Sequence, residues 1–232
     1  MSQVRGIVFD KDGTLFDFQA TWASVTGTVL EVLADGDRDM ARALADAAGY
    51  DLEARALLPG SVIVAGTIVE AVDVLLSVMP TTTDRGWVID TMIRLSETAE
   101  QIEAVPLRPY FDALRARGFV LGIATNDGES PARVHLERAG ILGHMDFVAG
   151  YDSGHGAKPG PGQLLAFCSA TALPAEAVLM VGDSRHDLSA GQAAGMRTVG
   201  VLTGLASAED LAGGATVVLP HIGHLPAWVD TL

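Results

Sequence analysis

From about residue 105 onward this chain repeats one unit: a short apolar run, a few polar residues, then a helical stretch. Residues 119–124, 146–149, 177–181 and 198–202 read as strands. Residues 109–117, 130–139, 162–171 and 187–194 read as helices, with Gly118, Gly140 and Gly195 closing three of them. At the amino end, Val4-Arg5-Gly6-Ile7-Val8-Phe9 supplies one more strand. Short apolar strands alternating with helices imply parallel pairing through right-handed crossovers. The expected fold class is therefore α/β, with a Rossmann-like parallel sheet as its core.

Residues 17–104 break this rhythm. Helical patterns cover 21–33, 39–48, 61–78 and 84–103, and no comparable strand rhythm is visible. Gly36, Gly49, the Leu58-Pro59-Gly60 break and Pro80 separate them. The expected organisation is a core of residues 1–16 and 105–232, with a helical subdomain of residues 17–104 inserted between its first two strands.

The 232 residues suit one large domain or a domain carrying a smaller insert, and the 49% apolar content is ample for a core. No apolar stretch reaches the ~18 residues of a membrane span, and the first residues lack a signal-peptide pattern. The one cysteine, Cys168, reads as space-filling beside Leu165 and Phe167. These features lead to the expectation of a cytoplasmic protein without a membrane partner. A net charge of −14 argues against nucleic acid, whose backbone wants a basic surface. It would also repel a phosphorylated small molecule at long range, so such a ligand needs local cationic help. Only two lysines are present, Lys11 and Lys158.

Polar residues follow the strands in a consistent way. Asp10-Lys11-Asp12-Gly13-Thr14 follows the first strand, and Thr125-Asn126 follows 119–124. Lys158-Pro159-Gly160-Pro161 lies in a loop before a helix, and Gly182-Asp183-Ser184-Arg185-His186-Asp187 follows 177–181. In open α/β sheets the ligand crevice lies outside the carboxyl ends of the strands, so a parallel sheet would gather these pieces at one edge. Two acids held there can divide labour between nucleophile or metal ligand and proton carrier. Each piece also has a plainer reading. Asp-Gly is a common turn pair, Thr125 to Gly128 equally suits a helix cap, and Lys158 suits a solvated loop. Strand-like alternation directs Lys11 away from the acids, to a structural or surface-facing place. His186 reads as a solvent-facing residue at a helix start.

Taken together and in order, the four pieces resemble the haloacid dehalogenase superfamily of phosphohydrolases. Its pattern runs D-x-D-G-T, a Thr or Ser after a strand, a Lys before a Pro, and G-D-x-x-x-D. The insertion after the first motif resembles that family's helical cap. The resemblance implies a Mg2+-dependent phosphatase acting on a small phosphate monoester. It makes Asp10 the nucleophile that forms an aspartyl-phosphate and Asp12 the acid, then base. Lys158 supplies fixed positive charge, and the Thr125 hydroxyl and Asn126 backbone N–H bind phosphate oxygens. The metal falls to Asp10, the main-chain carbonyl of Asp12, and Asp183, with Asp187 orienting Lys158 or holding a metal-bound water. Mg2+ and Mn2+ are not distinguished, and a monomer or a homodimer is equally compatible.

Within the superfamily, a dehalogenase lacks the second aspartate, so Asp12 argues for phosphoester chemistry. The insert contains no lysine, which argues against a phosphonate-cleaving relative that uses one. Ion pumps place threonine where this chain has Asp12. The stretches Gly182 to Asp187, Ala193 to Met196 and Gly200 to Gly204 look most like phosphoglycolate phosphatases, as does Pro59 to Thr67 in the insert. Arg55 is a candidate for a substrate carboxylate, with Arg38, Arg42, Arg85 and Arg94 also available, and residues 18–22 are candidates for the substrate pocket. A sugar-phosphate or nucleotide phosphatase and a phosphomutase are the enzyme alternatives. A regulatory protein that kept the fold but lost activity would usually have lost one of Asp10, Asp12, Lys158 or Asp183.

Overall fold

The computed structural model describes residues 3–58, 60–98 and 100–232. In chain order the elements are β1 (Gly6–Phe9), α1 (Phe18–Ala34), α2 (Arg38–Ala48), β2 (Tyr50–Asp51), β3 (Ala56–Leu57), α3 (Val62–Ala65), α4 (Ile68–Leu76) and α5 (Arg85–Glu97). They continue as α6 (Leu107–Ala116), β4 (Val120–Ala124), α7 (Glu129–Arg138), β5 (Phe147–Ala149), α8 (Gly162–Thr171) and β6 (Val178–Gly182). Then follow α9 (Arg185–Ala193), β7 (Arg197–Val201), α10 (Ala208–Ala212), β8 (Val217–Leu219) and α11 (Leu225–Val229). These residues divide into two compact units, one holding the chain up to Asp17 together with Ile102–Leu232, the other Phe18–Gln101.

The first unit is a six-stranded sheet in the order β5-β4-β1-β6-β7-β8, with every neighbouring pair parallel. This is a Rossmann-type α/β fold. β1 is central and buried along its length, and alternation sends its side chains to two separate cores. Ile7 and Phe9 join Leu107, Phe111, Leu121, Ile123, Leu179 and Val181 on one face. Val8 joins Ala124, Leu164, Phe167, Val178 and Met180 on the other. Phe9 meets Phe111 edge-on, with ring centroids 5.4 Å apart. The partly buried Cys168 packs against the second core.

The second unit is mainly helical, but the sequence reading misses details. Tyr50–Asp51 and Ala56–Leu57 form a two-stranded antiparallel hairpin, too short to show a period-2 signal. The stretch 61–78 is two helices, because Thr67 caps α4 through a capping box with Glu70. The helix expected over 84–103 ends at Glu97. In the first unit, β8 was not expected either; its three residues are only partly buried. Pro59, counted in a helix break and in the family-like segment of the insert, lies outside the described residues. No described helix is long and apolar enough to cross a membrane.

Phe9 is fully buried between aromatic neighbours at the centre of the sheet. Phe9→Ala should therefore cost ~3–5 kcal/mol of stability, read from the urea unfolding midpoint and slope. A loss below ~1 kcal/mol would show that the site collapses around the missing ring.

Candidate active site

The site assembles where strand ladders end. The Asp10 N–H extends the β1 ladder by donating to the Val181 carbonyl at 2.8 Å, and the Thr125 N–H does the same to Ala149 at 3.0 Å. Backbone bonds of the sheet therefore fix the two residues that leave its carboxyl edge. Asp183 follows β6 directly. Beyond β1 the chain turns tightly, with Leu15 N–H on the Lys11 carbonyl and Gly13 N–H on that of Phe16.

Lys158 comes to this edge from the loop before α8. The Asn126 side chain clamps its backbone on both sides, accepting from the Lys158 N–H at 2.8 Å and donating to its carbonyl at 3.0 Å. Gln163, fully buried on α8, donates to the carbonyls of Thr125 and Gly156 at 3.1 Å each. The Lys158 ammonium lies 2.6 Å from Asp10 Oδ1 and 2.6 Å from Asp187 Oδ1. The other oxygen of Asp187 accepts from the Ser184 N–H and hydroxyl at 3.0 and 2.6 Å. Start of α9 and buried lysine are thus joined through one carboxylate.

Asp10, Asp183 and Asp187 are all buried, and one oxygen of each lies within 4.8 Å of those of the other two. Asp183 sits between two glycines. A Cβ on Gly204 would fall 1.7 Å from Asp183 Oδ2, and one on Gly13 2.4 Å from the same atom. Gly13 also has φ +82°, a left-handed conformation that glycine adopts without penalty. The Thr203 hydroxyl donates to the Gly13 carbonyl at 2.6 Å and ties the two segments together.

Three carboxylates surround one ammonium, so the cluster is short of positive charge. Burial pushes Asp10 from 3.8 up to about 7; Lys158 opposes this, and the Asp187 and Asp12 charges add to it. Asp183 is also raised well above the ordinary carboxylate range, by burial and then by the charges of Asp187 and Asp10. Burial pulls Lys158 down, but Asp10 and Asp187 outweigh it and the net shift is upward. A buried set of hard oxygen donors with excess negative charge suits Mg2+ or Mn2+ rather than a soft metal.

Lys11 departs from expectation. It is fully buried, as the structural alternative required, but its ammonium turns to Asp12 instead of away from the acids. Its ammonium lies 2.5 Å from Asp12 Oδ2, 3.1 Å from Asp127 Oδ2 and 3.1 Å from His135 Nδ1. Strand alternation does not reach it, because β1 ends at Phe9 and the tight turn begins at Lys11 itself. Burial lowers its proton affinity, yet Asp12 and Asp127 more than compensate, and the shift is upward. His135 and Gln163 were not singled out from sequence, because a buried polar side chain on a helix has no local signature; Asp127 reads there only as part of a loop and helix cap, and its partner Lys11 lies far away in the chain. Arg185 turns to Asp210 at 2.9 Å, while the exposed Arg55 faces Glu31 at 3.9 Å within the helical unit.

A family profile described as haloacid dehalogenase-like hydrolase matches residues 4–195. A phosphoglycolate phosphatase of Rhodospirillum rubrum is 36% identical over 117 residues, covering 50% of this chain and 48% of that protein. The chain thus spans about half the length of that relative. A phosphoglycolate phosphatase of Pectobacterium atrosepticum is 26% identical over 97% of this chain and 94% of its own length. Among solved structures, one titled a predicted phosphoglycolate phosphatase from Haemophilus somnus superposes with TM-score 0.74 at 18% identity, covering 98% of this chain and 99% of that one. At that identity the likeness speaks to the fold alone.

The raised carboxyls set a pH dependence. A folded-state value above the unfolded one means the folded protein holds the proton more tightly. That contribution to stability is complete below 3.8 and is lost as pH rises through about 7. A divalent cation competes with those protons, so Mg2+ should raise the melting temperature more at about pH 8 than at about pH 5. Equal shifts in thermal melts at the two pH values would show that the cation binds elsewhere.

Proposed function

The chain belongs to the haloacid dehalogenase-like hydrolases, and from that premise we propose that it is a Mg2+-dependent phosphatase of small phosphate monoesters. The observation that carries this reading is the Lys158 ammonium held between Asp10 and Asp187, with Asp183 in the same buried cluster. The relatives named phosphoglycolate phosphatases make phosphoglycolate the first substrate to test.

Asp10 is the nucleophile. One of its oxygens attacks phosphorus as the bond to the leaving oxygen breaks, and Asp12 passes a proton to that oxygen. Asp12 then takes a proton from the water that attacks phosphorus and breaks the Asp10–phosphorus bond, returning Asp10 as a carboxylate. Lys158 places fixed positive charge beside the oxygens on which charge accumulates. The Thr125 hydroxyl and Asn126 backbone N–H bind phosphate oxygens, and the Asn126 side chain keeps Lys158 in reach of them. Asp10 and Asp183, with the main-chain carbonyl of Asp12, would hold the metal. The 4.8 Å grouping gives Asp187 a place in the same cluster besides its bond to Lys158. When bound, Mg2+ neutralises phosphate charge that otherwise repels an anionic nucleophile.

We read residues 17–104 as a cap whose opening admits the ester and whose closing excludes water. Its hinges fall at residues 16–18 and 104–106, near where the chain leaves and re-enters the first unit.

Free phosphate released from a panel of esters, with Mg2+ or with EDTA, tests the proposal. Release from phosphoglycolate should be fast with Mg2+ and abolished by EDTA. Asp10→Asn should lower it by at least ~10³-fold. Release that persists in EDTA or in Asp10→Asn would refute the scheme. A preference for sugar phosphates or nucleotides would move the substrate, and isomerisation without net release would make the enzyme a mutase.

A further inference from the structure

We propose that Lys11 is a positioning residue that holds the Asp12 carboxylate in line with the phosphate-binding loop; this rests on the reading of Asp12 as the proton carrier. The chain has only two lysines, and both are buried at this edge of the sheet. They divide the acid pair between them. Lys158 takes Asp10, while Lys11 takes Asp12 through Oδ2 at 2.5 Å.

The ammonium of Lys11 is anchored from the other side. Asp127 Oδ2 and His135 Nδ1 each lie 3.1 Å from it. An ammonium can only donate, so Nδ1 accepts and the ring proton sits on Nε2. Asp127 is fixed in turn. Its N–H donates to the Thr125 hydroxyl oxygen at 3.0 Å, and its Oδ1 accepts from the Gly128 N–H at 2.8 Å. Asp12 is therefore tied through Lys11 and Asp127 to the loop that carries Thr125 and Asn126. Proton transfer to a leaving oxygen depends on the distance between the proton carrier and the phosphate held by that loop. Without the ammonium, the Asp12 side chain loses this tie, while Asp10, Asp183 and Lys158 keep theirs.

A charge pair that served stability alone would lower turnover of every ester alike. The distinguishing readout is the leaving group. An alkoxide needs a proton to depart, whereas p-nitrophenolate leaves as the anion. Lys11→Met keeps most of the side-chain stem and removes the ammonium. Turnover of phosphoglycolate, or of the best alkyl phosphate in the panel, should fall roughly 30- to 100-fold with KM changed less than about 3-fold. The first-turnover burst of p-nitrophenolate from p-nitrophenyl phosphate should change less than about 3-fold. The double variant Lys11→Met/Asp127→Asn removes the unpaired acid that the single change leaves buried, and is read in its place if the single variant does not fold. An equal loss on both esters, or alkyl turnover within about 2-fold of wild type, would overturn the inference. So would failure of both variants to fold by circular dichroism, which would make Lys11 a stability residue. A wild-type protein inactive on every ester would instead sink the phosphatase reading, and Lys11 with it.

Discussion

One buried ammonium organises the site. Lys158 Nζ holds Asp10 from the end of β1 and Asp187 from the start of α9 at the same distance, 2.6 Å. A charge out of water is tolerated only with partners at close range and its remaining bonds satisfied. The supporting contacts follow from that requirement. Asn126 grips the lysine backbone, Ser184 fixes the second carboxylate, and Gln163 ties the Thr125 and Gly156 carbonyls to α8. Three distant parts of the chain are thereby locked round one point at the carboxyl edge of the sheet.

The charge balance at that edge is deliberate in its excess. Lys158 cannot neutralise Asp10, Asp183 and Asp187 together, and burial drives two of the three toward their protonated forms. A site in this condition gains by exchanging protons for a small hard cation. The glycines beside Asp183 serve the same end, since any side chain there would occupy the space of its carboxylate. The neighbouring cluster of Lys11, Asp12, Asp127 and His135 has its own ammonium, which keeps Asp12 in a different setting from Asp10. Two carboxylates separated by one residue can do different work only when their surroundings differ.

The fold class and the edge at which polar residues gather were legible because both follow from local order. Apolar runs such as 119–124 and 177–181 name their own strands, and parallel pairing places the residues after them side by side. Short or partly buried pieces escaped. The hairpin Tyr50–Asp51 with Ala56–Leu57 and the strand Val217–Leu219 are too brief for a periodic signal. The divided helix between residues 61 and 78 turned on one capping threonine inside an apolar stretch.

The order of strands, helices and polar turns was set by the sequence itself, since backbone pairing and burial follow residue by residue along the chain. Which charge meets which was decided by tertiary structure alone. Lys158 and Asp10 are 148 positions apart, and Lys11 and His135 are 124. Beyond the last residue of a strand no period directs a side chain, so Lys11 could turn inward to Asp12 where alternation would have sent it away. Asp12 is its neighbour in the chain, but Asp127 and His135 reach its ammonium only once the loops close and bring them alongside.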